Sequence, residues 1–356
     1  MQSLQRPGDA LEAFGMFRLQ GSSGRTVNKL RGSSTPGKAG KWTFEHAKEL
    51  PPFPLEKAIV ISYPSHIVAA RICDSLRLRS VHSKYNESQA ICTTSTYLSY
   101  TIDLYEDQES RTYLELIRNN GCGFAFRRER EAVINSAQGK GGIPPSSLPT
   151  MMKLPEELRR NFKAPTEREH EDTLLRASDQ LHSNKYDVQM FVLKNLSAIT
   201  SSDKVNQESA QIMSRLIMSN SSEIQSLIVT VLETSLEKYN ETNVELINSC
   251  LTIFSNALAL LSDLKLLENI LLENDNNPEF IEKVIPHLIL TVSNCKCPHN
   301  ACLALRCLCL LHTNSAIAED ILNEESKKYL KEAEIIGKQK HVRLEKEAQA
   351  LLQVLG

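Results

Sequence analysis

Two periods divide the chain. From about residue 55 to 138 the apolar positions alternate or sit in short runs, and beyond residue 166 they recur three and four residues apart. The first period predicts strands and the second helices. "KAIVIS" reads as a short strand, and "SHIVAARICDSLRL" after Pro64 reads as a helix with Ser65 as its N-cap. In "YLSYTIDLY" the side chains of Leu98, Tyr100, Ile102 and Leu104 share one face. "TYLELIR" and "CGFAF" flank Asn120-Gly121, the pair a type I′ turn prefers. This predicts a hairpin whose second strand carries Cys122, Phe124 and Phe126 on one side. "RREREAVINSAQ" then closes an α+β module with an antiparallel sheet, residues 50–138.

The stretch 139–165, "QGKGGIPPSSLPTMMKLPEELRRNFKAP" with its flanks, is rich in Pro and Gly and reads as a linker. From 166 to 356 every block is helical. Thr166 with Glu169 and Thr242 with Glu245 fit the capping box, and Asn277-Pro278 marks a further helix start. The blocks carry too much apolar surface for one small globule and are expected to stack in pairs. Residues 1–45 lack sustained periodicity and read as a disordered basic arm, with seven Arg/Lys up to residue 41 against Asp9 and Glu12.

Within the helical half, "PEFIEKVIPHLILTVSNCKCPHNACLALRCLCLLHTNSAIAEDIL" resembles an armadillo repeat. "IPHLILTV" is similar to its second helix and "HNACLALRCLCLLHTN" to its third; HEAT-type repeats look much the same. Similar third helices stand in "YDVQMFVLKNLSAIT", "NVELINSCLTIFSNAL" and "HVRLEKEAQALLQVL", and "SSEIQSLIVTVLETSL" is a fifth candidate. Their alignment places Asn195, Asn256, Cys307 and Ala350 at equivalent positions, in steps of 61, 51 and 43. The resemblance implies an α-solenoid over 166–356 that docks a partner protein. At this position armadillo proteins carry an Asn that bonds an extended peptide in the concave groove. Asn195 and Asn256 match it, with Lys194 beside the first; Cys307 and Ala350 do not.

The module, through "YLSYTIDLYEDQESRTYLELIRNNGCGFAF", resembles the kinase-associated domain at the C-terminus of some AMP-activated kinases. With about 55 residues ahead of the module, no kinase domain is expected. That family implies binding to anionic phospholipid or to a kinase. Arg77, Arg79, Arg118, Arg127, Arg128 and Arg130 are the candidate anionic-surface patch, interrupted by Glu129 and Glu131.

Composition narrows the chemistry. A net charge of −2 gives no basic excess for nucleic acid. Nine cysteines, mostly among apolar neighbours, fit a reducing compartment better than a disulfide framework. The longest apolar run, "LTIFSNALALL", falls short of the roughly 20 residues a membrane helix needs. In "NCKCPHNACLALRCLCLLH", Cys302 and Cys309 share a helix face but stand two turns apart, roughly 10 Å, too far for one ion. The remaining metal candidate is Cys295, Cys297, His299 and Cys302, with a C-x-C spacing tighter than zinc sites use. Five leucines around the same helix predict burial instead. No phosphate loop, zincin pair, nucleophile elbow or reactive-cysteine signature occurs.

The combined expectation is a multidomain, non-enzymatic adaptor without cofactor or resident metal. A small α+β module precedes an all-α armadillo-like solenoid that docks a protein, in the cytoplasm or as a subunit of a larger assembly. Two alternatives accompany it: peripheral contact of the module with an anionic membrane, and mitochondrial or plastid delivery if residues 1–41 are a presequence.

Overall fold

The computed structural model describes residues 42–44, 47–52, 55, 58–140, 165–183, 185–219, 223–237, 243–273, 277–314 and 324–355. An N-terminal antiparallel sheet region is followed by a helix-rich C-terminal region. Gly40–Gly356 forms one compact unit. Residues 141–164 of the predicted linker, residues 1–41, Thr242 and parts of some loops lie outside the described residues.

The sheet region contains β1 (Lys48–Glu49), β2 (Ile59–Ile61), α1 (Ser65–Leu78), β3 (His82–Asn86), β4 (Gln89–Thr93), β5 (Ser99–Glu106), β6 (Thr112–Asn120) and α2 (Gly123–Ala137). Strand order is β2-β6-β5-β4-β3, with antiparallel neighbours throughout; β1 pairs parallel to the end of β5. The period-two face is the core. Tyr100, Ile102 and Leu104 of β5 are buried with Leu114 and Leu116 of β6 and with Ala90 and Cys92 of β4. The same core takes in Val68, Ile72 and Leu76 from α1 and Val133 and Ala137 from α2. Each large aliphatic chain so buried contributes roughly 1.5–3 kcal/mol.

Three local readings are corrected. "CGFAF" is not a strand. β6 runs on through Asn120, Gly121 turns the chain at φ +100°, and α2 begins at Gly123. The three-residue alternation is overruled by the longer helical spacing of Phe126, Val133 and Ala137, which all reach the core. Phe124 is left 84 % exposed. A Cβ on Gly121 would stand 2.8 Å from Leu98 Cα, so this turn admits only glycine.

Ser65 is the first helical residue rather than the cap. Pro64, with ψ 145°, occupies the cap position, and its carbonyl accepts from the amides of Ile67 and Val68. The Ser65 hydroxyl instead donates to Glu106 Oε2. Finally, the packed module starts before residue 50. Trp42 is buried, stacks on Tyr85 with centroids 5.5 Å apart, and donates its indole N–H to Glu87 O.

The helical region comprises α3 (Glu167–Leu181), α4 (Tyr186–Ile199), α5 (Gln207–Met218), α6 (Glu223–Glu237), α7 (Asn243–Asp263), α8 (Leu267–Glu273), α9 (Asn277–Ser293), α10 (Pro298–Asn314), α11 (Glu324–Lys340) and α12 (Val342–Val354). Thr166 and Glu169 form the predicted capping box. Packing is between sequence neighbours and near neighbours. α4 lies on α7, α7 on α10 and α10 on α12; α3 lies on α6, α6 on α9 and α9 on α11. The two rows face each other pairwise: α3 with α4, α6 with α7, α9 with α10, α11 with α12. Helix α5 packs on α7, and short α8 joins α7 to α9.

The four aligned "third helices" are the α4–α7–α10–α12 row. The fifth, "SSEIQSLIVTVLETSL", forms α6 and belongs to the opposite row. "IPHLILTV" is the second half of α9, which continues through Pro286 from Asn277.

Among the described residues one helix, Asn243–Asp263, is long and apolar enough by length and composition to cross a membrane. The apolar run in the sequence looked short because Ser249, Ser255 and Asn248 interrupt it. In the fold all three are buried, and α7 is surrounded by α4, α5, α6 and α10. Its hydropathy is that of a central core helix.

Candidate functional site

The outward side of α4 carries the first candidate surface. Lys194 and Asn195 are exposed beside Phe191, which is 64 % exposed, and Leu175 of neighbouring α3 is 63 % exposed. Helical spacing explains the arrangement. Met190, Leu193 and Leu196 point into the stack, so 191, 194 and 195 are turned away from it. Lys194 Nζ approaches Glu245 Oε2 of α7 at 3.3 Å, an exposed pair that holds the row in register only weakly.

Asn256 has a different task. Its amide donates to Ser197 O at 3.1 Å and to Thr200 Oγ1 at 3.4 Å, tying α7 to α4. Of the two groove asparagines, only Asn195 is exposed.

The six arginines divide. Arg79 forms a mostly buried ion pair with Glu129 of α2 at 2.5 Å. Arg77 donates to Lys338 O of α11. Arg118, Arg127 and Arg128 remain exposed around the Gly121 turn beside Phe124, and Arg130 is half-buried.

The cysteine-rich stretch is core and turn. Cys307 is fully buried; burial pushes its thiol and that of Cys302 up to about 12. Cys295, in the turn ahead of α10, donates to Val292 O, and burial pushes its thiol up to about 11. Among the described residues no three His, Cys, Asp or Glu side chains are grouped to hold a metal ion. His299 is turned toward the sheet region.

That orientation marks a site the sequence did not suggest. The β4–β5 loop and the end of α1 meet the N-terminal ends of α7, α10 and α12. Tyr97, in the left-handed region at φ +57°, donates its hydroxyl to Val244 O at 3.2 Å and to Asn300 Oδ1 at 3.4 Å. Asn300 also accepts from Asn248 and donates to Val244 O. Holding a tyrosine at positive φ costs of order 1 kcal/mol, which these contacts offset. Ser80 Oγ accepts from the amide of Arg343.

Between these contacts stand three histidines: His82 at the start of β3, His299 in the first turn of α10 and His341 as N-cap of α12. His341 Nδ1 accepts from the Leu344 amide at 3.1 Å. Its Nε2 therefore carries the proton and donates to His299 Nδ1, also at 3.1 Å. His299 Nε2 in turn donates to Thr93 O at 3.1 Å. Both rings are buried, and their tautomers are fixed by what they must donate and accept. Desolvation is the main force holding all three neutral: it drives His82 down to about 4 and His341 to about 3, and lowers His299.

A scan against protein-family models finds no match, and neither a search of curated proteins nor one of solved structures finds one.

Proposed function

We propose that the helical rows form an armadillo-like α-solenoid and that the protein is a non-enzymatic scaffold docking a partner protein on the α4 side of that stack. The repeat reading is supported by the order of packing. α5–α6–α7 and α8–α9–α10 are each a helix followed by a facing pair, and α11–α12 closes the rows. Such stacks present long surfaces whose affinity comes from a few anchors in a wide contact.

The carrying observation is the exposed face of α4 that carries Phe191, Lys194 and Asn195. An aromatic ring left in water beside a cation and an amide has the make-up of an interface centre with its polar rim. The test is affinity purification with the full chain against its F191S/K194E variant. Loss of a defined set of proteins, with the folded state intact, supports the reading. Recovery of the same set by both overturns it.

A second reading rests on Phe124. Its 84 % exposure beside Arg118, Arg127 and Arg128 suits shallow insertion at an anionic membrane surface. Salt-sensitive binding to phosphatidylserine vesicles, lost in F124S and in R127E/R128E, is its signature. Binding that ignores both changes rules it out.

A further inference from the structure

We infer that the histidine chain His341–His299–Thr93, with His82 beside it, is an acid-released latch between the sheet region and the helical stack. The geometry permits only neutral rings. A proton added to His299 Nδ1 would face the N–H of His341 Nε2 at 3.1 Å, donor against donor. A proton added to His341 Nδ1 would expel the Leu344 amide, whose cap it provides.

The surroundings add to the penalty. His299 and His341 sit at the starts of α10 and α12, the positive ends of their helix dipoles. The charged groups that act on the three rings are Lys84 of β3, Lys340 at the end of α11 and Arg343 of α12, all cations. The acid of the first turn of α12 is Glu345, one turn beyond the His341 cap.

The sign follows from linkage. In an opened junction the rings return toward their ordinary value of 6.5 and take up protons below it, while the closed junction stays unprotonated well below that. Opening therefore becomes more favourable as pH falls from 6.5, by up to about tenfold per pH unit for each histidine. Above 6.5 the latch contributes its full stabilisation. What opens is the contact itself: the Arg343 amide loses its bond to Ser80 Oγ, the Leu344 amide loses its cap once His341 Nδ1 is protonated, and the starts of α7, α10 and α12 become available surface. Neither core contains these rings, so both should outlast the release.

Hydrogen exchange of the full chain, corrected for intrinsic rates, tests this at pH 7.5 and pH 5. The expected result is at least a tenfold rise in the opening constant of peptides covering Arg343–Leu344, with the middle of α7 and β5–β6 unchanged. In H299Q/H341N, where the amides reproduce the donor to Thr93 and the acceptor for Leu344, the acid response should shrink. In R343Q, which keeps all three rings and removes one repelling cation, it should also shrink. Equal exchange at both pH values overturns the latch. So does parallel loss of protection in α7, which would be plain acid unfolding, or an undiminished response in both variants.

Discussion

The sheet region and the helical stack solve burial differently. The sheet region closes around a few aromatic and charged partners far apart in sequence: Trp42 on Tyr85, Tyr100 against Phe126, Arg79 with Glu129. The stack is almost wholly aliphatic, and several of its buried hydroxyls bond within their own helix, as when Thr291 Oγ1 donates to His287 O one turn back. A core made of specific pairs fails when one member is lost. A core made of interchangeable aliphatic layers loses stability in proportion to the volume removed. The joint between them belongs to neither type, being polar, buried and built from loop and helix ends.

The largest effects should separate the two cores. Phe254→Ala, removing a 1 % exposed ring that packs on Phe280 at 5.4 Å, should cost about 3–5 kcal/mol. Arg79→Ala leaves the Glu129 carboxylate nearly buried without its cation and should cost a similar amount, about 3–5 kcal/mol. Urea unfolding followed by both far-ultraviolet circular dichroism and Trp42 fluorescence distinguishes them. If the compact unit melts as one, both probes shift together for both variants. If the regions melt apart, Arg79→Ala moves the fluorescence and Phe254→Ala the dichroism.

Next comes Gly337. A Cβ there would collide with the backbone of Glu345, so Gly337→Ala must push α11 away from α12 and should cost about 1–3 kcal/mol. Thermal unfolding measures it, and a neutral result would mean that the crossing is looser than the packing indicates.

Asn300→Ala breaks the joint at its centre, removing the acceptor of the Asn248 amide and one of the two that Tyr97 uses, for about 1–3 kcal/mol. Exchange should rise at the Tyr97 loop more than in either core. The smallest effect compares two asparagines of the same row. Asn256→Ala should cost about 1 kcal/mol, whereas Asn195→Ala should stay within about 0.5 kcal/mol and act on partner capture alone. Equal destabilisation by both would remove the distinction drawn here.

Legibility in the sequence followed the strength of periodic signals. Leu98, just before β5, and Tyr100, Ile102 and Leu104 within it stand in strict alternation, and all four are buried as read. The α4–α7–α10–α12 row was visible because each helix repeats the same apolar spacing. β3 and β4 escaped because "HSKYN" is polar and the turn after it uses Glu87 at φ +45° in place of glycine. The Asn-Gly signal was genuine for a turn but silent on what followed, since a turn dipeptide does not distinguish strand from helix.

The candidate surface was half legible. Lys194 and Asn195 are where helical phase puts them, while Asn256 is engaged by a neighbour that no single helix reveals. The histidine chain had no local signature at all. His82, His299 and His341 lie up to 259 positions apart, and the one that drew notice, His299, did so beside cysteines rather than beside the other two.

That separation has a consequence in time. The sheet region is complete by Ala137, but its docking partners emerge in the order Val244, Asn300, His341. At synthesis rates of roughly 5–20 residues per second, about 10–40 s pass between the first event and the last. Through that interval the Tyr97 loop and the Thr93 carbonyl stay bare, and the seam then closes stepwise as each helix start arrives. A nascent chain of this protein therefore carries a defined, transient exposed edge, and chaperones that meet it during translation should be found there rather than on the finished fold.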